Sequence, residues 1–524
     1  MAQQDLDEAL SIRDGHLFLE ERDTAQLVRQ FGSPLFVVSE DHLRRRVRRF
    51  QQAFTAGWAP GRVKVMPAVK ANWILAVQHI LADEGCGADI YSPGELDIAV
   101  RAGFDPRYIS VNGVPKSEAH VRRAVEAGAR VTIDSEEEVD FLEAAVQQLG
   151  VEARVRIRLR PLLSGFVERS DFVPEGPMPT DLAASVYKGG LTTEAAVRVA
   201  RRLRATAGIE LVGFHQHHGR HHRSARYWAE QMKAFAAEVA TVCAAIGGFR
   251  PTELDVGGGF AIPRDPHNAA TDYTAPYQMA ALYGLSNVLA KLAPKHRYKS
   301  LAPLAETVAA HPNTTAAPSI EEYASAVTTT LKAELRRHGI DPDPLMLQLE
   351  PGRALHGPCG IHLSTVHALK HITAPIPWRI VTVDTTEFFL TGGRYEHHLH
   401  DYRVANRADA AAVGSADVVG RSCYGDRILP SVPMPEVQVG DVLALLDTGA
   451  YQEVSASNFN AMPRPATVLV HGEHAEVIRR AETQDDVMRR DVVPGRLRPD
   501  AQPAGRAGDL RVAATDAPRP RTGN

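Results

Sequence analysis

The chain has 524 residues, 44% of them hydrophobic and 23% charged, an ordinary globular balance in a length that calls for more than one domain. Its formal net charge of −4 gives no electrostatic reason to expect nucleic acid, and no apolar run approaches the roughly 18 residues of a membrane span. The four cysteines, Cys86, Cys243, Cys359 and Cys423, contain no CxxC spacing, so neither a disulfide framework nor a metal site is expected and a cytoplasmic setting fits.

The first residues, "MAQQDLDEAL", are polar and acidic, unlike a signal peptide. "HLFLEE" (16–21) reads as a strand joining a later β-rich region. From about residue 60, short apolar runs alternate with helical patterns. The runs are "VKVMPAV" (63–69), "GADIY" (87–91), "YISVN" (108–112), "RVTID" (130–134), "ARVRIRL" (153–159), "IELVGFH" (209–215), "TELDV" (252–256) and "LMLQLE" (345–350). "SEEEVDFLEAAVQQLG" reads as a helix with a Ser cap and a closing Gly, and "TTEAAVRVARRLRATAG" as another. Eight strands alternating with helices predict a (β/α)₈ barrel over 36–360, interrupted by long segments at 161–190 and 261–318. After residue 360, "GIHLSTVHALK", "WRIVTVDTT", "DVLALLDTGAY" and "ATVLVHGEHAEVIRR" read as strands of a β-rich domain over 361–485. Residues 1–35 form an N-terminal segment partly joining that domain. Residues 486–524, rich in Pro, Gly, Arg and Asp, read as a disordered tail.

In such a barrel, chemistry gathers at the C-terminal ends of the strands. Those ends carry Lys70, Asp89, Asn112, Asp134, Arg158, His217, Gly257, Gly258, Gly259 and Glu350. "LDVGGGF" lets the backbone approach an anion, and "LEPGRAL" adds Gly352 and Arg353 at the next strand end. A lone GGG is equally a tight turn, but the pair suits a phosphate site. Phosphate plus a lysine at strand one suggests pyridoxal phosphate, with Glu350 suited to its ring nitrogen.

The motifs "PAVKAN", "ADIYSPGEL", "FHQHHG", "LDVGGGF", "LEPGR", "CYGD" and "DTGAYQEVSASNFN" resemble, in order, those of the fold-type III pyridoxal-phosphate decarboxylases. That family includes the diaminopimelate, ornithine and biosynthetic arginine decarboxylases, and the resemblance spans about residues 15–480. It implies Lys70 as the Schiff-base lysine, with Asp89 and Arg158 also at the cofactor. It implies His217 stacked on the cofactor ring and Glu350 at its nitrogen. It implies Gly257, Gly258, Gly259, Gly352, Arg353 and Tyr451 at the phosphate. It implies Cys423 as a general acid given across a homodimer interface, with the active site shared between subunits.

Three positions depart from the family. Arg220 stands where it has Ser after HxG, and suits either a phosphate or an acidic substrate. Tyr424 replaces the acidic residue that follows the cysteine, leaving Asp426 two positions on. "FFLTGGRYEHHLH" places Thr391 where diaminopimelate decarboxylases carry a substrate-gripping arginine, with Arg394 and Tyr395 just beyond. The expected reaction is decarboxylation of a diamino acid or modified diamino acid. A racemase on the same barrel and a non-catalytic regulatory homologue are the alternatives. The five histidines in 215–222 are read as a strand end with solvated neighbours rather than a metal site.

Overall fold

The eight apolar runs form eight parallel strands in a computed structural model that describes residues 8–163, 165–168, 178–179, 181–182, 185, 189–218, 224–262, 317–373, 378–391, 400–494 and 497. Most of 161–190, of 261–318 and of the tail beyond 494 lies outside the described residues.

The strands are Val63–Val65, Ala88–Ile90, Ile109–Val111, Arg130–Ile133, Ala153–Arg158, Ile209–His215, Glu253–Asp255 and Met346–Leu349. They pair in that cyclic order, each with its neighbours in sequence, and the last pairs with the first. The barrel closes where the Gly87 N–H donates to Val65 O at 2.9 Å and the Asp89 N–H to Pro67 O at 3.1 Å. Helices cover the outside, and polar residues fix where several begin. Ser39, Ser92, Ser117, Thr192, Ser224 and Ser319 each accept a backbone N–H from the first turn. The helix Glu137–Leu149 departs from expectation: its N-cap is Glu136, without a side-chain cap bond, rather than Ser135. Its C-terminus is the left-handed Gly150, as the pattern suggested.

The apolar core of the barrel lies between strands and helices, where Phe50, Phe54, Trp228, Phe260 and Tyr323 pack as one aromatic group. The barrel's inside is polar. Arg130 pairs with Glu253 at 2.5 Å, Arg156 with Asp255 at 2.8 Å, and Gln348 bridges Arg156 (2.8 Å) to Glu253 (3.1 Å). Burying such charges costs free energy unless each is paired, and here the partners reach one another across the inside of the barrel, from the fourth and fifth strands to the seventh.

The β-rich region is built on the long strand Gly360–Ile372. Its first half pairs antiparallel with Leu35–Ser39 on one side and Val442–Leu445 on the other, and its second half pairs with Trp378–Val383. Leu35–Ser39 also pairs parallel with Ala466–His471, which turns back through His474–Arg479. The strand preceding the barrel that enters this sheet is therefore Leu35–Ser39. His16–Leu19 pairs instead within a three-stranded sheet of Leu10–Arg13 and Arg22–Asp23, packed on the same apolar cluster as Ile361 and Val468. Tyr402–Val404, Gly414–Val419 and Arg427–Met434 are further strands that the sequence reading did not include. Among the described residues no helix is long and apolar enough to cross a membrane.

Candidate active site

The strand ends converge on one polar mouth. Lys70 lies in a short 3₁₀ turn just past the first strand, and its side chain is 41% exposed, toward the open mouth. Its Nζ donates to Asp89 Oδ2 at 3.1 Å. Burial opposes the charge on this amine. Asp89, Tyr451 and Glu350 outweigh it and hold the pKa above its ordinary value. Asp89, at the second strand, also accepts from Asn112 Nδ2 at 2.8 Å, and the same amide donates to Glu350 Oε1 at 2.6 Å. Asn112 thus ties the lysine's partner to the last strand.

Glu350 is 4% exposed and sits among histidines: His215 Nε2 is 3.2 Å from Oε1 and His217 Nδ1 is 3.6 Å from Oε2. Burial pushes its pKa up, opposed by Lys70, Arg156 and Arg158. His215 is fully enclosed, and burial pushes its pKa down to about 3, so it is neutral. Arg158 reaches the His217 carbonyl at 3.4 Å and Asp134 at 3.5 Å.

The glycines are required by contact. A Cβ on Gly258 would lie 2.0 Å from the Glu350 carbonyl oxygen, and one on Gly257, at φ +71°, would lie 2.5 Å from Gln216 O. Two of the three N–H groups face inward. Gly257 donates to Asp255 Oδ1 at 2.9 Å and Gly258 to His217 Nδ1 at 3.1 Å. These two were expected at a phosphate. Their hydrogen bonds are already spent on shaping the mouth and orienting His217. Among the described residues Gly259, at φ +101°, makes no such inward bond.

A second anion-suited wall faces this one. Gly352 precedes the one-turn helix Arg353–His356, and a Cβ there would lie 2.3 Å from the Tyr451 hydroxyl. The Arg353 guanidinium lies 5.3 Å from the centre of the Tyr451 ring. Tyr451 comes from the β-rich region in a left-handed conformation, φ +64°, and its N–H donates to Ala71 O at 2.7 Å, beside Lys70. Asn72 adds a second tie, donating to Gly449 O at 3.1 Å. Together these residues suit pyridoxal phosphate: an amine at the mouth, a buried carboxylate for a ring nitrogen, and a glycine–tyrosine–arginine wall for a phosphate.

The remaining predicted residues lie elsewhere. Cys423 is exposed, and within this chain no described contact joins it to Lys70 or Glu350. Its N–H donates to Asn460 Oδ1 at 3.0 Å, and Asn460 Nδ2 donates back to Sγ at 3.1 Å. Tyr424 is 58% exposed and packs edge-on to Phe388, which stacks on the 37%-exposed Phe459. Asp426 is the residue expected to face substrate. It is 1% exposed, and its oxygens accept from Ser422 N (3.0 Å) and Ser422 Oγ (2.6 Å), so it braces the cysteine turn. Thr391 is buried, and among the described residues its hydroxyl has no hydrogen-bond partner. Arg220, Arg394 and Tyr395 lie outside the described residues. Asn460, His215 and Asp255 were missed. Asp255 and His215 could have been found from the period-two alternation of "LDV" and "FHQH", which turns alternate residues into the barrel.

The description "Pyridoxal-dependent decarboxylase, pyridoxal binding domain" matches residues 40–297. The chain is similar to diaminopimelate decarboxylase of Methanothermobacter thermautotrophicus, 29% identical over 491 residues that cover 92% of this chain and 97% of that one. It is 28% identical over 484 residues to the Mycobacterium tuberculosis diaminopimelate decarboxylase, covering 89% and 93%. Among solved structures, the diaminopimelate decarboxylase of M. jannaschii superposes with a TM-score of 0.76 at 25% identity, covering 94% of this chain and 99% of the other. The Vibrio vulnificus lysine/ornithine decarboxylase, at 17% identity and TM-score 0.61, shares the fold over 85% of this chain and 97% of its own.

Proposed function

This chain belongs to the fold-type III pyridoxal-phosphate-dependent decarboxylases, most like the diaminopimelate decarboxylases, and from that premise we propose that it removes the α-carboxylate of a diamino acid. The bound cofactor supplies an electron sink for the pair left when CO₂ departs.

In this reading Lys70 holds the cofactor covalently, and Asp89, 3.1 Å away, accepts the proton its amine must give up. Glu350 would meet the ring nitrogen of the bound cofactor and favour its protonated form. His217 Nδ1, which accepts the Gly258 N–H at 3.1 Å, is held in one orientation so that the imidazole can lie against the cofactor face. Gly259, Gly352, Arg353 and the Tyr451 hydroxyl bind the phosphate, and Arg158 braces His217. The observation that carries the reading is the unbroken contact path Lys70–Asp89–Asn112–Glu350 across the mouth. A racemase gains no support from these residues, since Glu350 and not an arginine is the residue suited to the ring nitrogen, and a non-catalytic homologue gains none, since Lys70 and Cys423 are both kept.

Cys423 delivers a proton to the α-carbon in the active site of a second copy, so the working unit is a homodimer. Its exposure beside the exposed rings of Tyr424 and Phe459 supports a face covered by another surface. The four cysteines, none of them in a disulfide among the described residues, suit a reducing cytoplasm. The similarity to the diaminopimelate decarboxylases named above makes diaminopimelate the first substrate to test. Thr391, uncharged and buried, favours as a second candidate a diamino acid whose far end carries no free carboxylate. Release of CO₂ from diaminopimelate, lysine, ornithine, arginine and their acylated forms, with pyridoxal phosphate added, tests the proposal. Release from at least one is expected, and release from none would overturn it.

A further inference from the structure

Behind Glu350 lies a second buried carboxylate that the reaction as described does not use. Asp255 is fully buried at the end of the seventh strand, and its carboxylate oxygen, a Glu350 oxygen and a His215 nitrogen all lie within 4.8 Å of one another. The two acids are compensated unequally. Asp255 Oδ2 pairs with Arg156 at 2.8 Å, and Oδ1 accepts the Gly257 N–H at 2.9 Å. Glu350 receives the neutral Asn112 amide at 2.6 Å, and among the described residues no lysine or arginine forms an ion pair with it. His215 between them is neutral, so it adds no charge.

Two carboxylates this close are not both ionised without added positive charge. Arg156 is engaged from the Asp255 side and is further held by Gln348, Ser110 and Thr132, so it cannot swing to Glu350. Lys70, Arg156 and Arg158 favour the charged form of Glu350, and among the described residues none of them forms an ion pair with it, so a cation in direct contact on its mouth side would be favoured. Resting on the reading of Glu350 as the partner of the ring nitrogen, we propose that Asp255 is a positioning residue. By engaging Arg156 and adding a second negative charge behind Glu350, it makes the site select the protonated cofactor ring. His215 lies beside both acids, its Nε2 3.2 Å from Glu350 Oε1.

A double-mutant cycle on cofactor affinity tests this. Pyridoxal phosphate is titrated into the cofactor-free wild type, Asp255→Asn, Glu350→Gln and the double variant, following the visible absorbance of the lysine-bound form, and kcat is measured alongside. If Asp255 acts through Glu350, Asp255→Asn weakens binding about tenfold in the wild-type background and less than about twofold in the Glu350→Gln background. Equal losses in the two backgrounds, or a lowered melting temperature with unchanged affinity, would overturn the inference and leave Asp255 a structural ion-pair partner. His215→Gln, which removes no formal charge, runs the same cycle should Asp255→Asn fail to fold, and additive losses there overturn the inference equally. A wild type that takes up no pyridoxal phosphate would overturn both this inference and the decarboxylase reading. Uptake with additive losses would overturn this inference alone.

Discussion

The barrel mouth and the Cys423 turn are built on opposite plans. At the mouth every predicted group leans on another: Lys70 on Asp89, Asp89 and Glu350 on Asn112, His217 on Gly258. The Cys423 turn is also braced, by Asp426 and Asn460, but what it presents outward is exposed. The mouth is finished within one chain. The turn presents Cys423 and Tyr424 outward, both exposed. The difference teaches that cofactor binding and proton delivery are separable, and that variants in the two regions should fail differently.

The largest effect is expected at the mouth. Lys70→Ala should abolish the visible absorbance of the lysine-bound cofactor and lower turnover by roughly 10⁴-fold or more. A retained band would assign the lysine elsewhere, Lys64 being the nearest candidate in sequence. That residue already donates to Gly85 O at 3.0 Å and lies over the Tyr108 ring, a structural position. Cys423→Ala should keep the cofactor band and lower turnover by about 10²-fold. Loss of the band in that variant would collapse the distinction between the two regions. Asp426→Asn should leave cofactor affinity unchanged and lower turnover by about tenfold, the scale of a weakened charge-assisted hydrogen bond. A raised KM with unchanged kcat would instead return Asp426 to substrate contact.

The smallest effect concerns acid stability in the β-rich region. His362 is buried against Phe36 and bonded to Thr385 Oγ1 at 2.8 Å, and burial pushes its pKa down to about 3. Its contribution is therefore fully present above its unfolded value near 6.5 and is lost as pH falls toward 3, because only the unfolded chain takes the proton there. His362→Gln should flatten the fall of melting temperature below pH 6.5 by an amount worth about 2 kcal/mol at pH 5. An unchanged slope would mean that acid unfolding is governed elsewhere.

Much of the mouth was legible because a parallel barrel imposes a simple rule: find eight short apolar runs and read the residue that ends each. Lys70, Asp89, Arg158, His217 and Glu350 were found that way and do meet. For the sixth and seventh strands the rule took His217 and the glycines as the ends, so it passed over His215 and Asp255, the last strand residues just before them. It also could not see that Gly257 and Gly258 turn their N–H groups inside. The β-rich region was less legible. Tyr402–Val404 is only 3 residues long, and Arg427–Met434 contains prolines, so neither carries a strong strand signal. Asn460 reaches Cys423 across 37 residues from a left-handed backbone position, φ +57°, a contact no local pattern announces.

The central claim is that one chain supplies the cofactor half of the site and a second copy supplies the acid. Mixing Lys70→Ala and Cys423→Ala chains, unfolding and refolding them together, and assaying CO₂ release tests it most directly. Random pairing leaves half of the dimers mixed, each with one intact site of two, so activity should recover to about one quarter of wild type. Activity that stays at the level of the separate variants, in a mixture shown to have exchanged subunits, would contradict the account and return Cys423 to its own chain or remove it from the reaction.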